Sequence, residues 1–183
     1  MSDEGSQMTP EQIFKKFVWR QSISMGESME KFTTWTITGC AALVGLIISN
    51  LDSINSIIPI TSLRHSILLF VASLLFGVVS KMFGMALTSG INLINDMENK
   101  ISSPAGKNLM DSMTIEPKQL VKELSEVYWW PLSYIMRKAG SEGVKDYLSS
   151  DKRLVNLFCI QLFTNFIHIV FAALALVAVT ACI

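Results

Sequence analysis

Residues 154–183 form a run of 30 positions without Asp, Glu, Lys or Arg. At about 1.5 Å per residue, a helix over that run extends roughly 45 Å, more than the roughly 30 Å hydrocarbon core of a bilayer. A helix at a protein–water boundary keeps a charged face, and this run has no residues to build one. It is read as a transmembrane helix, with tilt or an interfacial first turn absorbing the surplus. Two more runs repeat the signal. Residues 32–51 are 20 positions without charge, between Lys31 and Asp52, with the apolar centre CAALVGLII. Residues 66–80 (SILLFVASLLFGVVS) are 15 uncharged positions, short for a bilayer, but the pattern resumes after Lys81. The second span is therefore expected over 66–95, with Lys81 reaching the headgroups and the last turns projecting beyond the membrane. Composition agrees, since 16% charged residues is well under the roughly 25% of a soluble domain. The expected fold class is an all-α membrane protein, with three transmembrane helices plus amphipathic cytoplasmic or interfacial helices.

Lys and Arg set the orientation. Residues 1–31 carry four, residues 52–65 one, and residues 81–153 the remaining ten of 15. The consistent solution is a multi-pass protein of the plasma (inner) membrane. Its N-terminus (1–31) and the loop 96–153 are cytoplasmic, the short loop 52–65 and the C-terminus outside. No secretory leader is expected before residue 32, because the start is acidic (Asp3, Glu4) and lacks a basic n-region. With Ser2 in place of a glycine and Cys182 one residue from the end, neither myristoylation nor prenylation is expected.

Outside the spans, Thr9-Pro10-Glu11-Gln12 has the form of a capping box with Pro at N1. Ile13, Phe14, Phe17 and Val18 follow on one face, so an amphipathic helix is expected to lead into the first span, lying on lipid or on the cytoplasmic loop. Ser102-Ser103-Pro104-Ala105-Gly106 divides the large loop. Beyond it, apolar residues recur at helical spacing over about 117–139, with Pro131 expected to kink the helix and Gly140 to close it. Val127–Met136 reads VYWWPLSYIM, uncharged and followed by Arg137-Lys138. Tyr128, Trp129, Trp130 and Tyr134 thus suit a membrane–water boundary, a docking surface for a soluble partner, or a small core against the N-terminal helix.

Two constellations lie within the spans. Gln161, Thr164, Asn165 and His168 fall at i, i+3, i+4, i+7 and share one face of the third span. Polar groups in hydrocarbon need partners, so this face turns toward protein or water. An ion or proton path with His168 titrating is one reading. Interhelical hydrogen bonding is preferred, because no intramembrane carboxylate accompanies the histidine. Small residues recur every four positions at Ala41, Gly45 and Ser49, at Ser73 and Gly77, and at Ser80, Gly84 and Thr88. Such stripes let helices approach closely, and at least one is expected to serve self-association.

Chemistry-bearing motifs are otherwise lacking. Two histidines in different regions do not make a zinc site, and no GxSxG, Walker, GxGxxG or HExxH pattern occurs. No catalytic residue, metal or cofactor is expected, and the three cysteines read as apolar filler, with Cys182 placed for an intersubunit disulfide in an oxidising compartment. Zero net charge argues against direct nucleic-acid binding. The expected partners are the lipid bilayer and further copies of the chain. The expected function is a non-enzymatic, self-associating membrane protein acting as a pore, a membrane-perturbing effector or a sensor of membrane state. The alternative is a membrane anchor that recruits a soluble cytoplasmic protein.

Overall fold

The computed structural model describes residues 9–55, 59–146 and 148–180. The side chains of Asp52, Asn55, Pro117, Val144, Lys145 and Thr180, and the expectation for Cys182, lie outside what is described. The elements in chain order are α1 (Pro10–Ser49), α2 (Leu51–Asn55), α3 (Ile60–Ser102), α4 (Pro104–Ser112), α5 (Pro117–Glu126), α6 (Leu132–Lys145) and α7 (Ser149–Thr180). Three of them, α1, α3 and α7, are long and apolar enough to cross a membrane. No strand occurs among the described residues. The chain divides into two compact units, one of Met1–Ile23 and Ser89–Val155, the other of Ser24–Thr88 and Asn156–Ile183.

The second unit is the membrane bundle. Its described helical segments, residues 24–49, 60–88 and 156–180, run roughly 38 to 44 Å each at 1.5 Å per residue, matching a bilayer with its headgroups. The buried positions of α3 are Leu63, Ser66, Phe70, Ser73, Gly77, Ser80, Gly84 and Leu87, an unbroken alternation of three- and four-residue steps. That is a heptad seam, which keeps one face of the helix against its neighbours along its length. The seam is mostly small or polar, while Leu68, Leu75, Val78, Leu162, Phe163 and Phe166 face outward. A protein folded in water places these classes the other way round, so the outward surface is one that lipid solvates. The chain is an all-α membrane protein. The threonines of α1 fit that setting too, because the hydroxyls of Thr33, Thr34, Thr36 and Thr38 each reach a carbonyl one turn back, at 2.8 to 3.2 Å.

In the first unit, Thr9 caps α1 as its sequence predicts. Gln12 N donates to Thr9 Oγ1 (3.3 Å) and Thr9 N to Gln12 Oε1 (3.0 Å). Ser103 alone separates α3 from α4. Its hydroxyl accepts from Gly106 N at 3.1 Å, and a Cβ on Gly106 would collide with the Lys100 carbonyl, so this corner needs glycine. The helix expected over 117–139 is instead a hairpin: α5 ends at Glu126 and α6 begins at Leu132. Pro131 explains the break, since it cannot donate to a preceding turn, and Trp129 O takes the first α6 amides, Leu132 N (2.8 Å) and Ser133 N (3.2 Å). Gly140 does not close a helix but lies inside α6, where a Cβ would strike Val121 of α5. The two helices approach closely at that point.

An ionic cluster ties three elements of the first unit. The Arg20 guanidinium forks onto Glu98, Nη1 to Oε2 at 3.0 Å and Nη2 to Oε1 at 2.6 Å, while Nε reaches Asp151 Oδ1 at 3.3 Å. Lys16 Nζ adds a contact to Glu98 at 2.8 Å. The bond from Arg20 chiefly holds the Glu98 carboxyl below its ordinary value of 4.5, with burial opposing and Lys16 assisting. Because the folded value is depressed, the stabilisation is complete above the ordinary value and is lost as pH falls through the lowered one. Glu98→Gln is expected to cost on the order of 1 kcal/mol at neutral pH, since the network is part-exposed, and to flatten the acid limb. Unfolding in detergent from about pH 7 to about pH 3 checks this, and an unchanged acid limb in the variant would contradict it.

Candidate functional site

The polar face read from α7 is buried in the membrane bundle and finds partners inside this chain for all but Gln161 Oε1, which is buried without a hydrogen bond. Gln161, Thr164, Asn165 and His168 are all buried. Gln161 Nε2 donates to Gly26 O of α1 at 3.1 Å. The Thr164 hydroxyl turns back onto its own helix, 2.8 Å from Ile160 O and 3.0 Å from Gln161 O. Asn165 Oδ1 lies 2.9 Å from the Thr33 hydroxyl. Two polar contacts thereby join α7 to α1.

His168 joins three helices. Its Nδ1 lies 2.8 Å from Ser73 O and 2.7 Å from Ser73 Oγ, both on α3, and its Nε2 lies 3.0 Å from Thr36 Oγ1 on α1. A carbonyl oxygen only accepts, so a proton on Nδ1 fits the contact to Ser73 O, whereas the Thr36 hydroxyl is able to accept from Nε2 or to donate to it. The Ser73 hydroxyl in turn donates to His168 O at 2.9 Å. Each ring nitrogen thus has a polar partner inside the bundle, as a histidine in hydrocarbon requires.

Ser73 belongs to a ladder that small-residue spacing alone does not reveal. Ser66, Ser73 and Ser80 donate to the carbonyls of Ala175, His168 and Gln161 at 2.8, 2.9 and 3.0 Å. Each step of one heptad along α3 matches one heptad backward along α7, so the two helices run antiparallel in register. Helices α1 and α7 run parallel, because Thr33–Asn165 and Thr36–His168 share one sequence separation of 132. The signal for Ser66 lay in its seven-residue spacing from Ser73, which an i+4 search skips. Replacing Ser66 or Ser80 with Ala is expected to cost about 0.6 kcal/mol each, nearly additively. Thermal unfolding of single and double variants in detergent measures both quantities, and a cost near zero for both would remove the ladder from the stability account.

The small-residue positions divide into two groups. Ser73, Gly77, Ser80 and Gly84 are all buried within the bundle. A Cβ on Gly77 would stand 2.7 Å from Ile37 Cγ1 and 3.1 Å from His168 Nδ1, and one on Gly84 would stand 2.7 Å from Gln161 Nε2. Ala41, Gly45 and Ser49 are exposed, and a Cβ on Gly45 would meet nothing within 4 Å. Close approach is used on α3 and remains open on the outer face of α1.

The aromatic residues of the first unit are not a core. Trp129 is 84% exposed, Trp130 72% and Tyr134 62%, with Tyr128 also exposed. Val127, Trp129 and Trp130 occupy the tip of the α5–α6 hairpin, and Ile13, Phe14 and Phe17 of α1 are exposed as well. Among the described residues no three His, Cys, Asp or Glu side chains converge as a metal site would need. The ionic cluster of Arg20, Glu98 and Asp151 was not legible in the sequence, where those charges look like ordinary solvated positions.

No protein family, curated protein or solved structure matches the chain.

Proposed function

We propose that this is a non-enzymatic integral membrane protein that self-associates and acts as a membrane-sensing or membrane-perturbing assembly. The observation that carries the proposal is the division of the small-residue stripes. One is occupied by the chain's own helices, while the other, Ala41, Gly45 and Ser49, faces outward with open space at Gly45. In lipid, small residues on an outer helix face are where a second helix approaches most closely. Gln161 Nε2, Asn165 Oδ1 and the His168 ring have partners inside one chain, which favours association through α1 over a pore lined by Gln161, Asn165 and His168.

The distribution of Lys and Arg supports a plasma (inner) membrane setting with the N-terminus and residues 96–153 in the cytoplasm and the C-terminus outside. Gly45→Leu is expected to weaken self-association on the order of tenfold, the equivalent of one close helix contact, with little effect on the thermal stability of the single chain. Energy transfer between labelled copies in proteoliposomes, titrated against lipid, measures it. Unchanged transfer in Gly45→Leu and Ala41→Leu alike would overturn the proposal.

A second reading, a membrane anchor for a soluble cytoplasmic protein, draws support from the exposure of Tyr128, Trp129, Trp130 and Tyr134. Native mass spectrometry of protein purified from its host separates the readings. A homo-oligomer supports the first and a stoichiometric soluble partner the second.

A further inference from the structure

We infer that the α5–α6 hairpin is a lipid-inserting wedge whose tip enters the interface of a phospholipid bilayer. The inference goes beyond self-association and does not depend on it. The hairpin tip is made of Val127, Trp129 and Trp130, exposed at 84, 84 and 72% among the described residues. Trp combines a large apolar body with one N–H donor, which suits the boundary where hydrocarbon meets hydrated headgroups.

The charge pattern sets the depth and direction of insertion. Along α6 there is no charge from Leu132 to Met136, and then Arg137 and Lys138 stand together. From Leu132 to Lys138 a helix rises roughly 9 Å, within the roughly 5–10 Å to which interfacial helices bury their apolar face. Arg137 and Lys138 thus reach phosphate level when the tip is in the acyl region, with their side chains extended toward the headgroups. The acids farther along are engaged elsewhere, Glu142 by Arg153 and Asp146 by Lys152. On α5 the charge begins at Glu126, beside the tip, with Glu123 one turn earlier. Insertion is therefore deeper on the α6 side. The same chain crosses a bilayer, so the effective concentration of lipid at the tip is high and the hairpin needs little intrinsic affinity.

The test uses the full chain in phosphatidylcholine nanodiscs, in a Trp19→Phe/Trp35→Phe background that leaves Trp129 and Trp130 as the only tryptophans. The wedge predicts a roughly twofold or greater fall in emission when the acyl chains carry bromine, together with protection from aqueous acrylamide. Full acrylamide quenching with no bromolipid effect would place the tip in water and overturn the inference. Protection from both quenchers would mean that protein covers the tip, and would overturn it equally. Should the double Phe variant fail to fold, Trp129→Phe/Trp130→Phe in the otherwise native chain reads the same contrast by difference. The bromolipid-quenched share of the emission is then expected to drop, and no drop counts against the wedge. Because quenching is local to the tip, failure here is distinguishable from loss of self-association.

Discussion

Replacing Gly77 with Leu is expected to disrupt the membrane bundle, whereas the same replacement at Gly45 leaves it standing. At Gly77 even the first added carbon would lie 2.7 Å from Ile37 Cγ1 and 3.1 Å from His168 Nδ1. The rest of a Leu side chain has no space between α1, α3 and α7, so the helices must separate. Overpacking a close-packed interior typically costs about 1–3 kcal/mol, and here separation also strips His168 of its partners. The expected total is about 3 kcal/mol or more, enough to lower the yield of folded protein as well as its melting temperature. Circular dichroism in detergent through a thermal ramp reports it, with Gly45→Leu as the control of equal size and hydrophobicity. Equal melting temperatures for the two variants would show that α3 does not pack as described. Gly77→Ala gives a smaller version, in which Ile37 has to move away from the single added carbon.

The second large effect is expected at His168. Changing it to Leu keeps the volume similar but removes the bonds to Ser73 and Thr36, and leaves the Thr36 hydroxyl with only its own helix as partner. Interhelical hydrogen bonds in lipid average about 0.6 kcal/mol, so two of them with the strain of a misfit apolar group come to about 2 kcal/mol. A double-mutant cycle with Thr36→Val isolates the Nε2 contact and is expected to return a coupling of about 0.6 kcal/mol. A residue serving only as a proton relay would behave differently: its loss would abolish flux and leave stability and coupling near zero. Proteoliposome proton flux measured beside detergent stability decides between the two.

These expectations also show how far the residues could be read unaided. The amphipathic placement of Gln161, Thr164, Asn165 and His168 follows from helical period alone, and all four are indeed buried together. The partners of Gln161, Asn165 and His168 did not follow, because they lie 132 or 135 positions away on α1, or 95 away on α3. Four-residue spacing of small residues picks out Ser73, Gly77, Ser80 and Gly84 but not Leu63, Ser66, Phe70 and Leu87, which complete the seam at heptad spacing. On α5 and α6 the apolar period suggests one helix. Pro131 ends it rather than bending it, because the two shorter helices gain a close packing partner in each other, with Val121 against Gly140.

Three runs too long and too apolar for water determine, segment by segment, that this chain is helical and resides in a membrane. Transfer of a helix into hydrocarbon depends on its own length and side chains, so sequence alone is sufficient for that conclusion. Which stripe of small residues faces inward could be decided only when α1, α3 and α7 were brought together. Lipid is as apolar as Leu and gives helices no hydrophobic reason to choose one face over another. The choice rests on hydrogen bonds and steric fit between distant residues: three serines on three carbonyls, one histidine shared by two neighbours, and two glycines where no Cβ fits. The same holds for Arg20 between Glu98 and Asp151, charges 78 and 131 positions away that meet only in the folded protein.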